Sequence, residues 1–310
     1  MLNCISFGIN SHNASNPIIV PWTFNTESSL RSLTLGQGSN WRRQDIGVEW
    51  STLETFVFVG DEAVGLTFML EMINLRSALV SFEQSDDSVE NPFVRLPTLR
   101  NLVIGDDDHP EPIFGICPIT SLETPALQCL HIHLEPDSTH LPLLTTMLLR
   151  SQCPLVDLVL NDLNASMGNL VELLQVVPSL RTFSFNLVGE SVLTDEFVDA
   201  MNPPEVQTST HGRCLPHISK ITYTGRISFK PLQIIDMLKS RSGTSLNDQI
   251  PADKQLKDFT ILCKNPDWAS AAKPNIMRRF YQEIWALKSL GTTFDITYEE
   301  VVTSESDRES

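Results

Sequence analysis

An α/β fold built by repetition is what this sequence predicts: a parallel sheet of short strands, with helices and irregular returns packed against one side. Three observations carry the expectation. A short pattern, apolar-x-x-apolar-x-apolar, recurs nine times in order along the chain. Its copies are evenly spaced over most of the length. The segments between copies carry helical rather than alternating apolar periodicity.

The clearest copies are Leu99/Leu102/Ile104, Leu127/Leu130/Ile132, Leu155/Leu158/Leu160 and Leu180/Phe183/Phe185. Upstream lie Leu30/Leu33/Leu35, Leu53/Phe56/Phe58 and Leu75/Ala78/Val80; downstream lie Ile218/Ile221/Tyr223 and Leu256/Phe259/Ile261. A proline often stands two residues before the first apolar position, as at Pro97, Pro125, Pro178 and Pro216. Steps between first apolar positions are 23, 22, 24, 28, 28, 25, 38 and 38 residues. Six of the eight steps match the period of leucine-rich repeats, about 20 to 29 residues. In such a unit the alternating apolar pair points a short strand into the core and the first apolar residue anchors the turn before it. Stacking then buries what one unit cannot bury alone.

The intervals supply returns. Helices are expected over residues 61–72, 141–150, 169–176, 194–201, 230–240 and 274–290, from apolar residues at helical spacing such as Leu170, Leu173 and Leu174. Phe294 to Tyr298 reads as a final edge strand. The two long steps are assigned to surface loops, residues 202–212 and 240–253. The predicted class is therefore α/β, a leucine-rich-repeat-like solenoid with a curved sheet and helices on its convex side. Residues 1–28 form a poorly defined lead-in, 29–298 the solenoid of about nine strands, and 299–310 a polar tail expected to be disordered. An ordinary α/β domain is the alternative.

Composition narrows the function. Of 310 residues, 41% are hydrophobic and 19% charged, so a sizeable core can form. Acidic residues outnumber basic ones by 38 to 22, a formal net charge of -16, which repels nucleic acid at long range. The longest basic run is Arg42-Arg43. The opening residues lack a basic start and sustained apolar run, and other apolar stretches are too short to cross a bilayer. Six cysteines (4, 117, 129, 153, 214 and 263) stand singly, as reduced thiols do in cytosol or nucleus. A cytoplasmic or nuclear protein with no nucleic-acid or membrane partner is expected.

Leu96-Pro97-Thr98-Leu99-Arg100-Asn101-Leu102, Cys153-Pro154-Leu155-Val156-Asp157-Leu158, Val177-Pro178-Ser179-Leu180-Arg181-Thr182-Phe183 and Leu215-Pro216-His217-Ile218 have a further likeness. In these segments the chain resembles the leucine-rich-repeat portion of F-box proteins, especially the divergent type abundant in mushroom-forming fungi. The likeness covers roughly residues 29 to 290. It implies a protein-binding solenoid that recognises substrates for SCF-type ubiquitination, with a Skp-type adaptor as partner only if an F-box lies upstream in the native product. Two departures stand against it. Met1 to Ser29 contains no Leu-Pro-x-Glu-like opening of an F-box, and Gly38, Asp61, Asp107, Glu135, Leu163 and Val188 stand where regular repeats place an asparagine ladder.

Catalytic signatures were sought without result. Gly36-Gln37-Gly38-Ser39 lacks the third glycine of a dinucleotide loop, and no P-loop, HExxH or GxSxG occurs. Asp106-Asp107-Asp108-His109 reads as a solvated loop, because consecutive acids followed by Pro110 do not make a calcium loop. Cys129, His131 and His133 would share one strand face, but steps of ~6–7 Å suit one tetrahedral ion poorly. No catalytic residue, cofactor or metal is assigned, and a non-enzyme is expected. The candidate binding face is the concave one, carrying Asn101, Val103, His131, His133, Asp157, Val159, Thr182, Ser184, Lys220 and Thr222. It reads as mixed, weakly polar and without a charge stripe, which suits an unidentified protein partner. A free-standing scaffold with no ubiquitin link is the second expectation.

Overall fold

The structure is a computed structural model, and it describes residues 4–7, 22–23, 30–36, 46–83, 92–105, 118–133, 140–202, 214–242, 255–264 and 272–298. Strands are β1 (Cys4–Phe7), β2 (Trp22–Thr23), β3 (Ser32–Leu35), β4 (Ile46–Gly47), β5 (Thr55–Asp61), β6 (Ser77–Glu83), β7 (Val94–Arg95) and β8 (Asn101–Ile104). They continue as β9 (Leu122–Glu123), β10 (Cys129–His133), β11 (Asp157–Leu163), β12 (Thr182–Leu187), β13 (Val192–Leu193), β14 (Lys220–Ile227), β15 (Asp258–Cys263) and β16 (Thr293–Tyr298). Helices are α1 (Glu62–Met69), α2 (His140–Ser151), α3 (Met167–Gln175), α4 (Asp195–Met201), α5 (Pro231–Ser242) and α6 (Pro274–Ser289).

The chain is α/β, with one large parallel sheet flanked by helices. Its strands follow chain order, β1-β3-β5-β6-β8-β10-β11-β12-β14-β15-β16, with β13 beside β14. All nine apolar copies fall in a common register. Leu33, Phe56, Ala78, Leu102, Leu130, Leu158, Phe183, Ile221 and Phe259 are partners across successive strands. Each is buried, as are the first apolar residues from Leu30 to Leu256. β1 in the lead-in pairs with β3, and β16 pairs with β15, so the sheet extends one strand beyond the repeated copies at each end.

The turn before each strand explains the recurring proline. Leu99 N–H donates to Leu96 O, Leu127 to Thr124 O, Leu180 to Val177 O and Ile218 to Leu215 O. Each closes a four-residue turn, and Pro97, Pro125, Pro178 and Pro216 take the second place, where their fixed φ fits. Beside the turns, three hydroxyls each bond the carbonyl of the preceding copy's first apolar residue. Thr52, Thr98 and Ser179 donate to the carbonyls of Leu30, Leu75 and Leu155, at 2.9, 2.9 and 2.8 Å.

Helices close the other side. α2 buries Leu141, Leu144, Met147 and Leu148, and α3, capped by Ser166 onto Asn169 N–H, buries Leu170, Leu173 and Leu174. Gly65 in α1 is a packing requirement: a Cβ there would lie 2.7 Å from Phe82 and 2.8 Å from Phe58. At the long steps β12 pairs directly with β14, and β14 with β15, so the extra residues add no strand between them. The second expected loop begins late, since α5 continues to Ser242. Residues 203–213 and 243–254, like the tail 299–310, lie outside the described residues.

α5 also holds a fully buried arginine, Arg241. Its Nε donates to Met201 O at 2.6 Å, Nη1 to Leu215 O at 2.8 Å and Nη2 to Cys214 O at 2.6 Å. One planar fork thus ties the end of α4 to the turn before β14.

Candidate functional site

The core takes alternate side chains of each strand, so the residues between them emerge on the opposite face. All ten candidate residues lie there, on the neighbouring strands β8, β10, β11, β12 and β14. One row runs Asn101, Cys129, Asp157, Thr182 and Lys220, and continues to Asp258. A second runs Val103, His131, Val159, Ser184 and Thr222. His133 pairs with Asn161 in a third. The flanking Thr55, Val57 and Thr260 extend the first two rows.

The centre of this face is polar and incompletely bonded. His131 Nε2 lies 3.7 Å from Asp157 Oδ2, an ion pair once the imidazole is protonated. His131 Nε2 and Asp157 Oδ1 are shielded from water, and neither has a hydrogen-bond partner among the described residues. His133 is better held: its Nε2 lies 2.8 Å from the side-chain amide nitrogen of Asn161. Lys220 Nζ lies 3.5 Å from Asp258 Oδ2. Gly105 supports the arrangement from β8, with φ +102° and a Cβ position 2.6 Å from His133 Cβ.

Cys129, His131 and His133 follow one another along β10 without converging, and no group of three His, Cys, Asp or Glu among the described residues could hold a metal ion. Burial, and then the Asp157 carboxylate, push the Cys129 thiol upward, away from the thiolate that metal binding or nucleophilic attack needs. His109 and the acidic cluster 106–108 lie outside the described residues. Among those described, no helix is long and apolar enough to cross a membrane.

The two central rows carry no charge stripe, whereas a separate row of residues outside the candidate face is charged. The residue after each first apolar position stands at the N-terminal edge of the sheet, where its carbonyl accepts two N–H groups from the next unit. Arg31 O accepts from Glu54 and Thr55, Arg76 O from Arg100 and Asn101, and the ladder continues to Lys257 O and Thr293. In order this edge reads Arg31, Glu54, Arg76, Arg100, Gln128, Val156, Arg181, Ser219 and Lys257. It holds five cations and one acid. Glu54 lies 3.0 Å from Arg31 and 3.8 Å from Arg76, while Arg100, Arg181 and Lys257 make no ion pair among the described residues.

A search for consecutive basic residues passes over this row, because its members recur once per unit. The signal is the repeated dipeptide Leu30-Arg31, Leu75-Arg76, Leu99-Arg100, Leu180-Arg181 and Leu256-Lys257. A parallel sheet flanked by helices with one open strand face is the class these features define. Compared with known proteins, the chain matches no family model and no curated protein.

Proposed function

We propose that this chain is a protein-binding module, a leucine-rich-repeat-like solenoid, acting as the substrate-recognition part of an F-box-like protein linked to SCF-type ubiquitination. The observation supporting it is the pairing of successive strands in chain order, with one face packed under helices and the other open. An open sheet face of small polar and β-branched side chains, mixed in charge, suits a protein surface. The ubiquitin link rests on the resemblance of the four proline-led segments, residues 96–102, 153–158, 177–183 and 215–218, alone.

A free-standing scaffold is the second reading, and one observation favours it. Met1 to Ser29 carries no Leu-Pro-x-Glu-like segment, and residues 4–7 form a strand paired with β3. Affinity purification of the C-terminally tagged protein from its native cells, read by mass spectrometry, separates the two. Skp-type adaptor and cullin peptides support the first reading. Other proteins recovered without the adaptor support the scaffold. Recovery of no protein above the untagged control sinks both.

A further inference from the structure

The row of cations at the N-terminal edge of the sheet has a function that the open face alone does not supply. We propose that Arg76, Arg100, Arg181 and Lys257 dock an acidic segment of a protein partner, a peptide rich in Asp and Glu laid across the strands. The proposal rests on the protein-binding reading above and specifies the partner's chemistry.

Charge segregation is the first support. The edge carries five cations against one acid in a chain of net charge -16. An anionic segment is thus drawn to the N-terminal edge of the sheet.

Geometry is the second. Neighbouring strands lie about 4.8 Å apart, so the six steps from β6 to β15 set Arg76 and Lys257 about 29 Å apart in single file. About 9 residues of extended peptide cover that length, and twelve overhang it. Guanidinium groups pair with carboxylates through two parallel hydrogen bonds, and no carboxylate of the described chain already occupies Arg100 or Arg181. A single-stranded nucleic acid would want aromatic platforms for its bases. Neither this edge nor the two rows beside it contains a Phe, Tyr or Trp.

The test is a fluorescence-anisotropy titration of the full chain with a labelled twelve-residue Glu peptide at low and moderate salt. The variants are Arg100→Glu/Arg181→Glu and, as a charge-matched control, Arg278→Glu/Lys288→Glu on exposed positions of α6. All four residues are exposed, and circular dichroism checks that each variant is folded. The expected result is binding weakened at least about tenfold by the edge variant and by added salt, with the control variant close to wild type. Equal loss in both variants, or no binding by wild type, overturns the proposal. So does a labelled oligo-dT bound as tightly and lost in the same variant, which assigns the edge to nucleic acid. Salt-sensitive self-association that the edge variant abolishes overturns it in favour of a second copy's acidic segments. The native purification repeated with the edge variant keeps the two readings apart. Unchanged partners refute the edge alone, whereas absence of partners with the wild-type bait refutes the protein-binding reading whatever the titration shows.

Discussion

Replacing Arg241 with methionine preserves most of the side-chain length and removes every donor. The three carbonyls of Met201, Cys214 and Leu215 would then lose the guanidinium that bonds them. A buried acceptor left unbonded costs ~1–3 kcal/mol, but removing a fully buried charge returns part of its desolvation cost. Three such acceptors, less the returned desolvation, leave a net loss of about 3 kcal/mol. In a fold whose units contact mainly their neighbours, that loss is felt locally. Amide hydrogen exchange is therefore the right assay, read at Asn202, Ile218 and Leu256, whose N–H groups bond Val198, Leu215 and Arg241. Their exchange should accelerate on the order of 10²- to 10³-fold, while amides of β8 and β10 stay unchanged. Arg241→Lys should fall between, because one ammonium cannot reproduce three donors in a plane. Exchange within about threefold of wild type in the methionine variant would refute the reasoning.

Gly105→Ala should lower stability by about 2 kcal/mol or more, from a left-handed φ and a clash with His133, with a shifted urea midpoint and changed His133 ring resonances as the readout. An unshifted midpoint would show that β8 and β10 can separate there at little cost. Alkaline pH provides a second perturbation. Burial pushes the Cys153 thiol from 9.0 up to about 11, against weaker lowering by backbone hydrogen bonds. The folded state therefore holds its proton more tightly, so this contribution is intact below pH 9 and lost as pH rises toward 11. Cys153→Ala should lose less stability than wild type across that interval in urea titrations; parallel curves would refute the role.

Much of the sheet was legible because a strand's alternation is a local property. Leu102 and Ile104, or Phe183 and Phe185, face inward by their spacing, and the same spacing puts His131, Asp157 and Thr182 on the opposite face. The equal offsets then set the register, since slipping one residue would turn every core side chain outward. The position of Arg181 was equally present in the sequence, but its meaning emerges only when parallel pairing lines it up with Arg100 and Lys257.

What the sequence by itself determined is the order and inward face of the repeated strands, the six returning helices and the excess of acid. Each depends on neighbours three or four residues away, or on a sum over the chain. Tertiary structure alone decided the contacts between units: Arg241 reaching from α5 to the carbonyls of Met201 and Leu215, His131 facing Asp157 across β10 and β11, and the cations forming a row. The first three pairs are 40, 26 and 26 residues apart and neighbouring cations of the row 24 or more, and no local energy term distinguishes a buried arginine from an exposed one until the fold removes its water.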